Sequence, residues 1–296
     1  MKKRTAFTMI ELIFVIIVMG IIGKFGIEFL AQAYKSFIFS SVNNTLQQNS
    51  AIAVEFIGSR LQYRIKDSTI VRTASGATPI PIANASGDSF KVLEWVATDI
   101  DNFRGDSAPN WSGIIDLDAS NKTTLNSPGT DTTKINTLID TLSYGDRGIV
   151  DAALYFVGSN NDVVNGYGWN GDLIKVNAQE GTIHPIKATT NVDEFQSSTG
   201  TDFTGIDIYE YYKLAWTANA VVMEDYNTTT KMGRLTFYYD YQPWKGDNYL
   251  DGKSATIMEN VSTFQFMSIS SIMKIQVCVK SDLVEEYSLC KEKTIF

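Results

Sequence analysis

Residues 12–23 are twelve positions without a charge, entered from a carboxylate, Glu11, and headed by the basic cluster Lys2-Lys3-Arg4. No proline occurs before Pro79, so nothing in the first quarter of the chain forbids a continuous helix. Lys24 and Glu28 are the only charges between Gly23 and Ala31, which makes the apolar span amphipathic at its far end. A cleaved secretory signal carries its small-residue cut site after the apolar core. Here the small residue beside the basic leader is Ala6, ahead of the core. The span therefore reads as a membrane segment with a carboxylate in it, where an unpaired charge is costly. Two readings of Glu11 stand at this point: a plain signal anchor with Glu11 near the cytoplasmic headgroups, or a charge that awaits a partner.

The basic leader assigns the N-terminus to the cytoplasm and everything after the apolar run to the other side. Apolar residues continue at steps of three and four or close to them, among them Ile27, Leu30, Tyr34, Ile38, Val42, Leu46, Ala53, Phe56, Ile57 and Leu61, which predicts helix. One long helix is expected over 7–66, about 90 Å at 1.5 Å per residue. Its first part, 7–31, crosses the membrane, and its second half forms the spine of a soluble domain. Asn43-Asn44-Thr45 and Asn49-Ser50 have weak helix propensity and are candidate irregularities.

Beyond Asp67 the composition shifts to Gly, Asn, Ser, Thr and aromatics, with short apolar runs between turn signals. Strands are expected at 69–73, 90–98, 113–117, 152–157, 172–177, 235–241, 261–269 and 273–279. Segments 118–132 and 196–205 read as loops, and the spacing predicts a short helix over 133–142. The fold class is α+β: a long N-terminal α-helix on a β-rich, mainly antiparallel domain over 67–296 with large loop insertions. A chain of 296 residues has room for such a domain.

The net charge is −8, which disfavours a direct grip on phosphate backbones, because that affinity comes from Lys and Arg; no direct nucleic-acid binding is expected. The sole histidine, His184, precedes Pro185 in a loop-like stretch, and nucleophile-elbow, zinc-protease and phosphate-loop motifs are absent from the sequence. The chain reads as a non-enzyme, with no catalytic residues and no metal assigned. Gly166-Tyr167-Gly168-Trp169-Asn170-Gly171-Asp172 is a candidate sugar platform, although aromatics in a β-rich domain more often serve the core. Asp247-Asn248-Tyr249-Leu250-Asp251-Gly252 and Asp99-Ile100-Asp101-Asn102 are the places to look for calcium. The first fits the EF-hand pattern poorly, with Tyr249 at a ligand place and Met258 where Glu belongs. Asp225-Tyr226-Asn227-Thr228-Thr229 fits an extended glycosylation acceptor at Asn227.

Ala6-Phe7-Thr8-Met9-Ile10-Glu11 with the following apolar run resembles the class III leader of type IV pilins and type II secretion pseudopilins. The resemblance covers about the first 30 residues. It implies that a prepilin peptidase removes residues 1–6, cutting between Ala6 and Phe7 and N-methylating Phe7. Glu11 then falls at the fifth position and Gly20 at the fourteenth, as in the family. The chain departs from it in having Ala6 where Gly is usual and in lacking the helix-kinking proline of major pilins. Gly20, Gly23 and Gly26 are the weak helix positions instead. The family implies that Glu11 of an incoming subunit pairs with the Phe7 amine of a neighbour. Cleavage would leave 22 basic against 33 acidic side chains.

Asn260-Val261-Ser262-Thr263-Phe264-Gln265-Phe266 with the strand Lys274-Ile275-Gln276-Val277-Cys278-Val279 is similar, more loosely, to the closing hairpin of minor pseudopilins. Cys278 and Cys290 are the only cysteines. In an oxidising periplasm they read as a disulfide, the alternative being reduced cysteine in a buried strand. The resemblance implies a minor pilin or minor pseudopilin of a type II secretion, type IV pilus or competence filament. Its partners would be other such subunits, the prepilin peptidase and the assembly platform, and its location a single pass in the bacterial inner membrane. A second expectation keeps the anchor and makes the distal domain an adhesin or carbohydrate-binding protein. Related major pseudopilins hold calcium in a C-terminal loop, which is why the two acidic segments are of interest.

Overall fold

A computed structural model describes residues 8–159, 162–178, 181–283 and 287–296. Helix α1, Met9–Gln62, is unbroken over 54 residues, about 80 Å of helix. Both candidate irregularities are helical. Tertiary packing overrides their weak propensity: Val42, Leu46, Ser50, Ala53, Val54, Ile57 and Leu61 form one buried stripe. The Ser50 hydroxyl donates to the Leu46 carbonyl at 2.7 Å, and the Tyr287 hydroxyl donates to Asn43 Oδ1 at 2.8 Å. The helix stops four residues short of the expected 66, where Arg64 Nη1 donates to the Leu61 carbonyl and the Ile65 amide joins the Val96 carbonyl.

The strands follow as β1 (Ile70–Arg72), β2 (Ile80–Pro81), β3 (Val92–Ala97), β4 (Thr124–Asn126), β5 (Ala153–Phe156), β6 (Ile183–Ala188) and β7 (Glu194–Ser197). After them come β8 (Tyr212–Ala215), β9 (Thr217–Asn227), β10 (Met232–Tyr241), β11 (Lys253–Ile269), β12 (Ile272–Lys280) and β13 (Ser288–Ile295). Helix α2 is Ile100–Arg104 and helix α3 is Thr132–Leu142. An eight-stranded sheet runs β13-β12-β11-β10-β9-β3-β1-β2 and a five-stranded sheet runs β4-β7-β6-β5-β8; every pairing is antiparallel.

Strand alternation sorts the residues into layers. On β3, Leu93 and Trp95 join the core beneath α1, with Phe237, Val277 and Ile295. Val92 and Val96 face the other way and pack with Ala218, Ala220 and Val222 against Ala153, Tyr155 and Ile183 of the five-stranded sheet. The far side of that sheet meets Ile135 and Ile139 of α3. The large sheet curls, so that Ile82, just past β2, shares a core with Met273 and Ile275, and Arg64 Nη2 donates to the Ser271 carbonyl at 2.8 Å.

Two expected strands, 113–117 and 172–177, are not strands. The first makes only single bridges, Ile114 to Tyr211 and Asp116 to Asn126. In the second, Ile174 and Val176 are buried as alternation suggests, but their amides go to the carbonyls of Trp244 and Thr199, which lie in separate segments outside the strands. The expected loops 118–132 and 196–205 contain β4 and the end of β7. His184 and Pro185 lie in β6, not in a loop. That strand pairs with β5 through 183–185 and with β7 through 186–188, so the residue without an N–H stands at the handover between partners.

Burial pushes the His184 imidazole down to about 4, partly offset by its hydrogen bond with the Val176 carbonyl at 2.9 Å. The unfolded ring takes a proton near pH 6.5, so between about pH 6.5 and 4 the unfolded state binds a proton that the fold refuses, and stability falls as pH drops. About 3 kcal/mol is expected to be lost by pH 4. From pH 7.5 to 4, wild type should lose this much stability to urea relative to His184→Leu. Asp99, which burial raises to about 7, titrates with the opposite sign, so the difference between the two chains isolates His184.

Candidate functional site

The N-terminal half of α1 stands free of the domain. Among the described residues, α1 is the helix long and apolar enough to cross a membrane, and none of its most apolar window is buried. Exposed large apolar side chains run from Met9 through Phe14, Ile21, Phe29 and Phe37 to Phe39. Glycines 20, 23 and 26 have nothing within 4 Å of where a Cβ would stand, so they leave three notches on an otherwise bulky helix. Lys24 and Glu28 lie 3.9 Å apart, one turn from each other, a solvated pair within the apolar surface.

Glu11 closes the N-terminal end. Its Oε2 accepts from the Thr8 amide at 2.9 Å and from the Thr8 hydroxyl at 2.7 Å, and the Glu11 amide donates to the Thr8 carbonyl at 3.1 Å. Thr8 has extended backbone and is the N-cap, so the carboxylate also meets the positive end of the helix dipole. Both hydrogen bonds use the same oxygen, which leaves Oε1 for another donor. Ala6 and Phe7, the expected processing site, lie outside the described residues.

Cys278 and Cys290 form a disulfide with a Cα–Cα distance of 3.9 Å. They are cross-strand partners in the β12–β13 register, on the sheet face opposite the one that Val277 and Ile295 turn to α1. The bridge fastens edge strand β13, which lies along α1, to its neighbour. Closing a loop of this length contributes about 3 kcal/mol.

The acidic segments are occupied by local structure. Asp247 Oδ2 receives Arg147 at 3.4 Å and the Gln242 amide at 3.1 Å, Asp251 receives the Asn248 amide at 2.8 Å, and the Tyr249 ring is buried. Asp99 caps α2, accepting from the Asn102 amide and side chain. Among the described residues no group of three or more His, Cys, Asp or Glu side chains is placed to hold a metal. In the candidate sugar platform, Tyr167 and Trp169 are core residues, and the Trp169 indole donates to the Ser68 carbonyl at 3.0 Å. Gly168, at φ +82°, would set a Cβ 2.3 Å from the Pro243 carbonyl oxygen, so the turn needs glycine to dock. Asn227 sits exposed at the β9–β10 hairpin, with Oδ1 accepting from the Thr229 and Thr230 amides.

Comparison with family models, with curated proteins and with solved structures finds no match for this chain.

Proposed function

We propose that this chain is a structural subunit of a membrane-rooted filament, of the minor pilin or minor pseudopilin type, and not an enzyme. The exposed apolar length of α1 carries the reading. From Met9 to Phe39 it covers about 46 Å, whereas the hydrocarbon core of a bilayer is about 30 Å thick. A lone helix would need to tilt by about 50° to hide that length, beyond the usual range of 0 to 40°. The remainder, with Phe29, Tyr34 and Phe37 exposed, is left for protein cover, whereas Phe39 already lies against Tyr287 of the domain. Other helices of the same kind, packed side by side, supply it, and the notches at Gly20, Gly23 and Gly26 admit close approach.

In this reading the peptidase cuts between Ala6 and Phe7, the new amine of one subunit pairs with Glu11 of the next, and the domain lies on the periplasmic side. A photo-crosslinking phenylalanine analogue placed at position 37 in the native host is the test. Adducts to a second copy, or to another subunit with an apolar N-terminal helix, are expected. Adducts to lipid alone would make α1 a simple anchor and sink the filament reading.

A further inference from the structure

At the membrane-distal end of α1 a cleft of about 420 Å³ opens between the helix, the large sheet and the end of α3. This size is typical of small-molecule sites. Phe56, Arg60 and Tyr63 of α1 form one wall, Phe237 and Tyr239 of β10 the floor, and Tyr144 the opposite lip. Tyr144 follows the C-cap of α3 with φ +60°, where glycine is favoured and a bulky residue is uncommon. The residue is nonetheless 86 % exposed. Asp240, also in the cleft wall, has φ +61°. Such positions persist where the surrounding structure enforces them, and they cluster at ligand sites.

Polar groups mark the same place. Asn219 lines the cleft and is only 5 % exposed. The hydroxyl of Thr98, in the adjoining wall, is buried without a partner. A buried hydroxyl of this kind is destabilising unless something hydrogen-bonds to it.

The charges select the ligand class. Arg60 already lies over the Phe56 and Phe237 rings at 5.7 and 5.8 Å, and Lys253 over Tyr144 at 5.2 Å. A further cation would be repelled by these resident charges. An anion would meet Asp101 and Asp240. Lys253 is balanced between Asp240 at 3.2 Å and Asp146 at 2.9 Å. What remains suits a neutral ligand with apolar faces and a rim of hydroxyls. We infer that this cleft binds a neutral saccharide, its ring stacked on Tyr144 and Tyr239 and its hydroxyls hydrogen-bonded to Asn219, Arg60 and Asp101.

This inference does not rest on the filament reading, since the cleft is remote from the exposed half of α1. The test uses the full chain in a detergent without a sugar headgroup, with cellobiose and N,N′-diacetylchitobiose as probes. Binding is followed by saturation-transfer NMR and by the fluorescence of Trp216, which lines the cleft. At least one probe should bind saturably, and Tyr144→Ala and Arg60→Ala, both at exposed positions, should each raise Kd about ten-fold with circular dichroism unchanged. Three results would overturn the inference: no saturable binding of either disaccharide, binding that both substitutions leave intact, or tighter binding of tetramethylammonium or inorganic sulfate than of either sugar.

Discussion

Arg72→Met is expected to destabilise the domain by about 3 to 5 kcal/mol, the usual result of stripping one partner from a buried ion pair. Arg72 Nε meets Glu94 Oε1 at 2.7 Å, and both side chains are buried. The same guanidinium donates to the Ala77 carbonyl at 2.6 Å and to the Trp169 carbonyl at 2.7 Å. It thereby ties β1, the segment after it and the Tyr167–Trp169 turn into one joint between the sheets. Among the described residues, Glu94 keeps only the Tyr241 hydroxyl, at 3.1 Å, if the arginine goes. Burial raises the Glu94 carboxyl, and the Arg72 charge and hydrogen bond hold it down; without Arg72 only the Tyr241 bond opposes that rise. The folded variant then holds a proton that the unfolded chain has released, so it should weaken as pH rises from about 4.5 toward 7. Urea titration of the full chain in detergent at pH 5 and 7.5 measures this. The double change Arg72→Met with Glu94→Leu should recover most of the loss, since a packed apolar pair often replaces an ion pair at little cost. Equal stability of Arg72→Met and wild type would show the pair to be dispensable.

The periodicity of 3.6 made α1 legible over nearly its whole length, because the same residues that repeat in sequence form its buried stripe. Strands β3, β5, β10, β11 and β12 were legible for a similar reason: their apolar runs are short, rich in Val, Ile and aromatics, and bounded by turns. What escaped has physical causes. β9, Thr217–Asn227, is buried through small residues, Ala218 and Ala220, which pack against the second sheet without an obvious alternation of hydropathy. β13 reads Ser-Leu-Cys-Lys-Glu-Lys-Thr-Ile, charged as an edge strand often is. Its place comes from pairing with β12 and the Cys278–Cys290 bridge. β4 and β7 are short, and their pairing with each other joins residues about 70 positions apart.

The Glu11 end was visible from the isolated charge, but the Thr8 contact that satisfies half of the carboxylate needed the helix geometry. The distal cleft was not visible at all. It gathers Phe56, Thr98, Tyr144, Asn219 and Tyr239 from five separate stretches, none of which carries a motif. In sequence, Tyr144 is simply one more aromatic near a glycine; its left-handed backbone is what sets it apart.

Glu11→Ala should leave the chain in the membrane yet reduce its recovery with neighbouring subunits on the order of a hundred-fold, if Glu11 and a second subunit's amine bury each other's charge. Removing one carboxylate makes the apolar segment more lipophilic, so membrane insertion is retained. In the single chain, Thr8 supplies both hydrogen bonds to Glu11 through Oε2. A frayed helix end is therefore a second cause of lost assembly, beside a missing partner. Thr8→Ala separates the two causes: it removes the hydroxyl contact and weakens the cap, but leaves the carboxylate and its Oε1 for the neighbour. Under charge pairing, Thr8→Ala assembles nearly as well as wild type, and Glu11→Gln, which keeps a hydrogen-bonding side chain without the charge, fails as Glu11→Ala does. Under capping alone, Thr8→Ala and Glu11→Ala fail together while Glu11→Gln succeeds. Quantitative co-purification of the three variants from native membranes, with total membrane-bound chain as the reference, decides between them.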